Sequence, residues 1–254
     1  LAAQLRPSNA LVELGRVAEG FAAYERCIER FPTHAPAYYN VACELQKLGR
    51  LPEAEESYRH AIEAAQGYAE AHHNLGTLLS NMARHEEAIE CFRRACTLKP
   101  DYKDAHSNLI YGMYYLPETT GEALAAEARR WGETYGSGPA LVSRVRRPDP
   151  ATKLRIGYVS PDFRDHAASY FLEPVLRHHD PASVETYCYS QVAKPDMVTS
   201  RMRGYVSHWR DVALLGDDEL AALVRDDGVD ILIDCAGHTR GNRLAMFARA
   251  PATA

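Results

Sequence analysis

A spacing of 34 residues constrains this chain more than any other feature. Ala37, Ala71 and Ala105 recur at that interval, as do Asn40, Asn74 and Asn108; Leu11, Leu45 and Leu79; Glu19, Glu53 and Glu87; and Tyr24, Tyr58 and Phe92. A fixed period of this length marks a repeat architecture, in which each unit buries its apolar face only against its neighbours. The clearest unit spans 69–102 and predicts a helix over 71–83, a turn, a second helix over 86–98, and a stop at Pro100. Small residues at Gly76, Ala88 and Ala95 let the paired helices approach closely, and Tyr24, Tyr58 and Phe92 fill the space between them.

With Leu75, Gly76, Ala88, Phe92, Ala95 and Pro100 in these places, the unit resembles the tetratricopeptide repeat, and residues 1–102 read as three such repeats in tandem. The first is the weakest, with Pro7, Ser8 and Gly20 where Leu, Gly and Ala are usual. A fourth first-helix is expected near 104–115, and an amphipathic helix over 121–135 departs from the period and is expected to cap the solenoid, which then spans 1–135. Helix interiors disfavour Asn, so Asn40, Asn74 and Asn108 at one register ask for a reason. On the first helix of each repeat they would line the inner surface of the superhelix. There a side-chain amide, both donor and acceptor, can hold the backbone of an extended polypeptide. The alternative is that Asn is a common filler at this position of the repeat.

Residues 136–153 change character. Gly136, Gly138, Pro139, Pro148 and Pro150 read as a linker, with Arg144, Arg146 and Arg147 as a solvated stretch. From Leu154 onward short β-branched runs alternate with helical patterns: strands near 154–160, 184–190, 207–212 and 229–235, and helices near 169–178, 196–205, 217–226 and 242–249. This alternation predicts a parallel, doubly wound sheet over 154–254. The loops at 160–166 and 236–241 follow strands and so gather at the ligand-binding edge of such a sheet. The fold class expected is an α-solenoid followed by an α/β Rossmann-like segment.

Composition narrows the function. Lys+Arg number 29 against 34 Asp+Glu, which is no electrostatic footprint for nucleic acid. No apolar run approaches the roughly 20 residues of a membrane helix, and no charged-then-apolar leader opens the chain. Six cysteines form no C-x-x-C pair and read as free thiols of a reducing, cytoplasmic compartment. Among eleven histidines, His72–His73 and His178–His179 are adjacent pairs whose side chains diverge, so no metal site is expected.

The run 154–166, L-R-I-G-Y-V-S-P-D-F-R-D-H, and the run 230–247, D-I-L-I-D-C-A-G-H-T-R-G-N-R-L-A-M-F, resemble the start of the catalytic region of the O-linked N-acetylglucosamine (O-GlcNAc) transferase and Spindly family, in which tetratricopeptide repeats lie immediately upstream. The resemblance implies a two-domain GT-B fold of which 154–254 is part of the first lobe. It also implies inverting transfer of a sugar from UDP-GlcNAc to Ser or Thr hydroxyls, acceptor binding by the repeats, and neither a metal nor another cofactor. The form G-H-T at 237–239 leaves fucose open as the sugar. Family members continue through the rest of the first lobe and a second lobe that carries most contacts to the nucleotide diphosphate. The sequence opens in mid-pattern at Leu1 and stops at Ala254, so a piece of a longer protein is expected, with weak donor binding on its own. A non-catalytic adaptor that binds proteins through its repeats is the competing reading.

The resemblance matches His166 to the histidine of the family's P-D-F-x-x-H motif, which faces acceptor hydroxyl and sugar. As a base or a positioning group it is the leading catalytic candidate, with capping of the next helix as the alternative, followed by His238 after the fourth strand, which a purely structural role fits as well. Asp162 is placed to orient a neighbouring histidine or cap a turn, and Thr239 to contact the donor. Asp234, near the end of an apolar strand, needs a partner. Gly157 and Gly237 read as close-approach positions, and Tyr170 and Phe171 as core.

Overall fold

The computed structural model describes residues 11, 16–136, 152–249 and 251–252. The chain divides into two compact units, Leu1–Leu124 and Ala125–Ala254.

The first unit is built from six described helices of regular length: α1 (Val17–Arg30), α2 (Ala35–Lys47), α3 (Leu51–Ala64), α4 (Ala69–Asn81), α5 (His85–Leu98) and α6 (Lys103–Met113). Pro36 and Pro52 lie in the first turns of α2 and α3, where a missing N–H costs nothing. The Glu column of the period also has a local cause. Arg16, Arg50 and Arg84 each stand just before a helix and reach the Glu three residues on, with Nε donating over 2.7 Å to Glu19, 2.7 Å to Glu53 and 2.6 Å to Glu87. Each carboxylate thus lies in a first helical turn, where the helix dipole favours it. Arg84 Nη1 also donates to both oxygens of buried Glu55 at 2.8 Å, linking successive repeats.

Close helix approach explains the small-residue columns. Ala37, Ala54, Ala61, Ala71, Ala88, Ala95 and Ala105 are fully buried. A Cβ added at Gly76 would fall 2.7 Å from a ring carbon of Phe92 and 3.0 Å from the Ala88 carbonyl oxygen. Around them Tyr58, Leu75, Leu78, Leu79, Ile89, Phe92 and Leu109 form one continuous core across the repeats. The turns within the second and third repeats take a left-handed residue. Gly49 (φ +75°) and Ala83 (φ +59°) occupy them 34 residues apart.

The helix α7 (Gly121–Tyr135) has the bounds expected, yet the division between units falls inside it, between Leu124 and Ala125, rather than at its end. Its buried residue is Trp131, which packs within the second unit against His238. Most of the helix therefore goes with the α/β unit. The three linker arginines lie outside the described residues.

The second unit holds a four-stranded parallel sheet in the order β3-β2-β1-β4, formed by β1 (Leu154–Ser160), β2 (Val184–Ser190), β3 (His208–Asp211) and β4 (Ile231–Asp234). The helices α8 (Ser169–Arg177), α9 (Met197–Arg203), α10 (Asp217–Asp226) and the single turn α11 (Leu244–Phe247) follow the four strands in turn. Alternating strand residues feed two cores. Tyr158 and Cys188 join Phe163, Leu176 and Met202, whereas Val159, Tyr187 and Tyr189 join Leu220, Val224 and Met246. At Gly157 a Cβ would meet Leu232 at 2.7 Å, so this position is a close approach between β1 and β4.

The expectation that Tyr170 and Phe171 belong to the core is overturned: they are 76% and 78% exposed. The stretch of α8 carries apolar residues on more than one face. Its inward face is set by Ser169, Leu172 and Leu176, which turns Tyr170, Phe171 and Val175 outward.

Candidate functional site

Strand order locates the site. The chain runs outward from β1 through β2 to β3, then returns to place β4 on the other side of β1. That reversal makes the C-terminal ends of β1 and β4 a topological switch point, where loops leave the sheet in opposite directions and open a crevice. The two loops singled out in the sequence are those two. They touch: a Cβ at Gly241, whose φ is +83°, would come 3.2 Å from the Pro161 Cβ.

The loop after β1 is tied down at several points. Ser160, fully buried, accepts the Asp162 backbone N–H at its Oγ (3.0 Å), and Ser169 Oγ donates to the Asp162 carbonyl (2.8 Å). The Asp165 N–H donates to Asp196 Oδ2 (2.7 Å), and this bond, with those from the first turn of α9, holds the Asp196 carboxyl below its usual range. Asp162 is 8% exposed and directs one oxygen to Arg164 Nη2 (3.2 Å) and the other toward His166 Nδ1 (3.7 Å). The His166 side chain is 42% exposed, and its Nδ1 accepts the Ala168 backbone N–H at 3.2 Å. With Nδ1 accepting, a neutral imidazole carries its proton on Nε2 and presents a hydrogen-bond donor. Service as a base through Nε2 would instead require Nδ1–H to close on Asp162.

The loop after β4 is shaped by Asp234. The partner missing from the sequence is the loop's own backbone: Gly237 N–H donates at 2.6 Å and Ala236 N–H at 3.3 Å. Burial raises the Asp234 carboxyl pKa even though both bonds act to lower it. Gly237 is left-handed at φ +56° with nothing within 4 Å of a Cβ, so it is a conformational glycine rather than a close-approach one. Thr239 Oγ1 donates to the Ala236 carbonyl (2.7 Å), so its proton is used within the turn and only acceptor capacity remains for a ligand. His238 packs edge-on to Trp131, with ring centroids 5.3 Å apart. Arg243, not singled out in the sequence, donates to Gln191 Oε1, Asp217 Oδ1 and the Leu215 carbonyl at 3.1, 3.0 and 2.8 Å, and so joins the loops that follow β2, β3 and β4.

In the first unit, Asn74 Nδ2 donates to the Tyr39 hydroxyl (2.8 Å) and Asn108 Nδ2 meets His73 Nε2 (2.9 Å), each across 35 residues. Tyr39 and His73 are themselves 34 apart, so the two bonds are one contact repeated along the solenoid. The Tyr102 hydroxyl bonds His73 Nδ1 at 2.8 Å, and burial lowers the His73 pKa, which keeps the ring neutral. The amide donors are thus engaged between repeats, while the carbonyl oxygens of Asn74 and Asn108 accept no hydrogen bond among the described residues. Asn40 is half-buried at the same register. Tyr39 and His73 were legible only as the residues one step before Asn in the period. Among the described residues no cluster of His, Cys, Asp or Glu is arranged to hold a metal, and no helix is long and apolar enough to cross a membrane.

Together these features define a protein in which a helical repeat scaffold precedes a parallel α/β unit whose loops after β1 and β4 meet at its switch point. Residues 140–254 match the model of glycosyl transferase family 41, and tetratricopeptide repeat models match 23–56 and 69–102. The chain is similar to the probable UDP-N-acetylglucosamine–peptide N-acetylglucosaminyltransferase SPINDLY of Solanum lycopersicum, at 36% identity over 148 residues, which is 56% of this chain and 16% of that protein. The UDP-N-acetylglucosamine–peptide N-acetylglucosaminyltransferase of Caenorhabditis elegans is 34% identical over 102 residues, 39% of this chain and 9% of that protein. Among solved structures, the O-GlcNAc transferase of Thermobaculum terrenum superposes with a TM-score of 0.79 at 34% identity, covering 99% of this chain and 48% of that one. The chain therefore spans less than half the length of each of these relatives.

Proposed function

We propose that this chain carries the repeats and the first part of the catalytic region of a protein O-GlcNAc transferase. A Ser or Thr hydroxyl oxygen of the acceptor attacks the anomeric carbon of UDP-GlcNAc, the bond from that carbon to the diphosphate oxygen breaks, and UDP leaves with inversion, the hydroxyl proton passing to the departing diphosphate oxygen. The observation that carries this reading is the meeting of the His166 and His238 loops at the β1/β4 switch point, within the segment that matches family 41. His166 acts there as a positioning donor through Nε2–H toward a donor or acceptor oxygen, with Asp162 orienting its ring. His238 and the acceptor lone pairs of Thr239 face the sugar or phosphates. The repeats hold the acceptor polypeptide, with the Asn74 and Asn108 carbonyls, and Asn40 at the same register, receiving backbone N–H groups. The cysteine pattern supports a cytoplasmic setting.

Incubating the full-length protein with a protein extract and either UDP-GlcNAc or GDP-fucose tests the reading. Acceptor masses should rise by one N-acetylhexosamine with the first donor. A deoxyhexose increment with the second would reassign the sugar, and no increment with either would favour a protein-binding adaptor.

A further inference from the structure

The geometry points to Trp131 as a positioning residue that sets the orientation of His238, an inference that rests on the transferase reading. Trp131 is 4% exposed, lies two turns into the part of α7 that packs with the α/β unit, and is one of two tryptophans in the chain. Its ring meets His238 at 5.3 Å and an interplanar angle of 79°, an edge-to-face contact that fixes an imidazole about its last torsion. Tyr135, one turn on, packs against the indole at 5.2 Å. A Cβ at Gly136 would lie 3.3 Å from the Ala248 Cβ, so the end of α7 is seated on the segment that follows β4.

The loop bearing His238 is thus held from two directions. From within, Asp234 receives the N–H groups of Ala236 and Gly237, and Thr239 closes the turn onto Ala236. That bonding fixes the backbone. Against the imidazole itself Trp131 packs edge-on and limits its rotation. The indole N–H is buried and meets no acceptor among the described residues. Trp131 therefore acts through ring area, and a phenyl ring should replace it where a methyl group cannot.

The test uses the full-length protein with Trp131→Phe, Trp131→Ala, His238→Ala and the double variant Trp131→Ala/His238→Ala. Displacing a group by about 1 Å costs on the order of 10²-fold in rate, so Trp131→Ala should lower kcat by about that factor, while Trp131→Phe recovers most of it. The double variant should be no slower than His238→Ala alone, because a residue that works through His238 has nothing further to lose once the imidazole is gone. Losses that multiply in the double variant, or a Trp131→Ala enzyme with the parent kcat, would overturn the inference.

A second readout needs no activity. In the 254-residue chain carrying Trp209→Phe the only indole is Trp131, and an imidazolium in ring contact quenches indole emission more strongly than a neutral imidazole. Acidification from about pH 8 to 5 should dim the emission, and His238→Gln should abolish that change. Emission that ignores His238→Gln would overturn the placement, including when Trp131→Ala fails to fold. A parent that transfers no sugar would sink the transferase reading by itself, and the emission arm would still decide whether Trp131 and His238 are in contact.

Discussion

Ala83 holds a conformation that its side chain opposes. It takes the left-handed turn that Gly49 takes one repeat earlier. A Cβ in that region costs roughly 1–2 kcal/mol, against about 0.4–1 kcal/mol of extra unfolded-state entropy for glycine. Ala83→Gly should therefore stabilise the repeats by somewhat under 1 kcal/mol, read as a higher urea midpoint at unchanged slope. A lower midpoint would show that the Ala83 methyl makes contacts that outweigh the strain. His166 makes a statement of another kind at this scale. Because its Nδ1 accepts the Ala168 N–H, long-range proton–nitrogen correlation spectra above the histidine titration should show the proton on Nε2. A proton on Nδ1, directed at Asp162, would restore the general-base role.

Among the elements, the repeated helix pair was legible almost to the residue, because its period, its small-residue columns and its turn all follow from short-range rules. The short helices of the α/β unit were less so. In α8 the residues Tyr170, Phe171, Leu172, Val175 and Leu176 offer two apolar faces, and only the packing of Leu172 and Leu176 onto the sheet decides between them. The asparagine ladder was found by register, but its partners Tyr39 and His73 come from the preceding repeat, so the direction of each amide was not readable. On the proposal that these asparagines receive the acceptor's backbone N–H groups, replacing Asn40, Asn74 and Asn108 by Ala should weaken acceptor binding by about 0.5–1.5 kcal/mol per hydrogen bond lost. Some repeat stability should go with it, seen as a lower melting temperature. Unchanged affinity in the triple variant would leave the ladder as scaffold alone.

The strands carry a pH-dependent element of their own. Glu185 on β2 bonds His208 on β3 at 2.7 Å and Arg155 on β1 at 3.0 Å, and its pKa is lowered, first by the bond to His208 and then by Arg155. A carboxyl depressed in the folded state contributes stability that is present above its unfolded pKa, about 4.3, and is lost as pH falls through the folded value. Glu185→Gln should therefore be less stable than the parent near neutral pH, and the difference should close as pH falls through the folded value, read as urea midpoints at a series of pH values. Equal stability of the two proteins near neutral pH would mean that the ladder is too solvated to matter.

At the scale of the whole molecule, the order of the two units was legible because repeat period and strand–helix alternation are different periodicities. Their boundary was not. It falls inside α7, since Trp131 packs on a loop more than a hundred residues away in sequence, and no local signal announces such a contact. The switch-point geometry brings the loops after β1 and β4 together from stretches of chain that are distant in sequence. The central claim, that this edge is part of a sugar-transfer site, is tested most directly by the initial rate of N-acetylglucosamine transfer from UDP-GlcNAc by the full-length protein and by its His166→Ala form, at saturating donor and matched folding by circular dichroism. Removing a preorganised hydrogen-bond donor that acts in the transition state costs about 10²–10³ in kcat, so the parent should transfer and the variant should fall by that factor. Equal rates in the two proteins, or a parent that transfers nothing, would contradict the account.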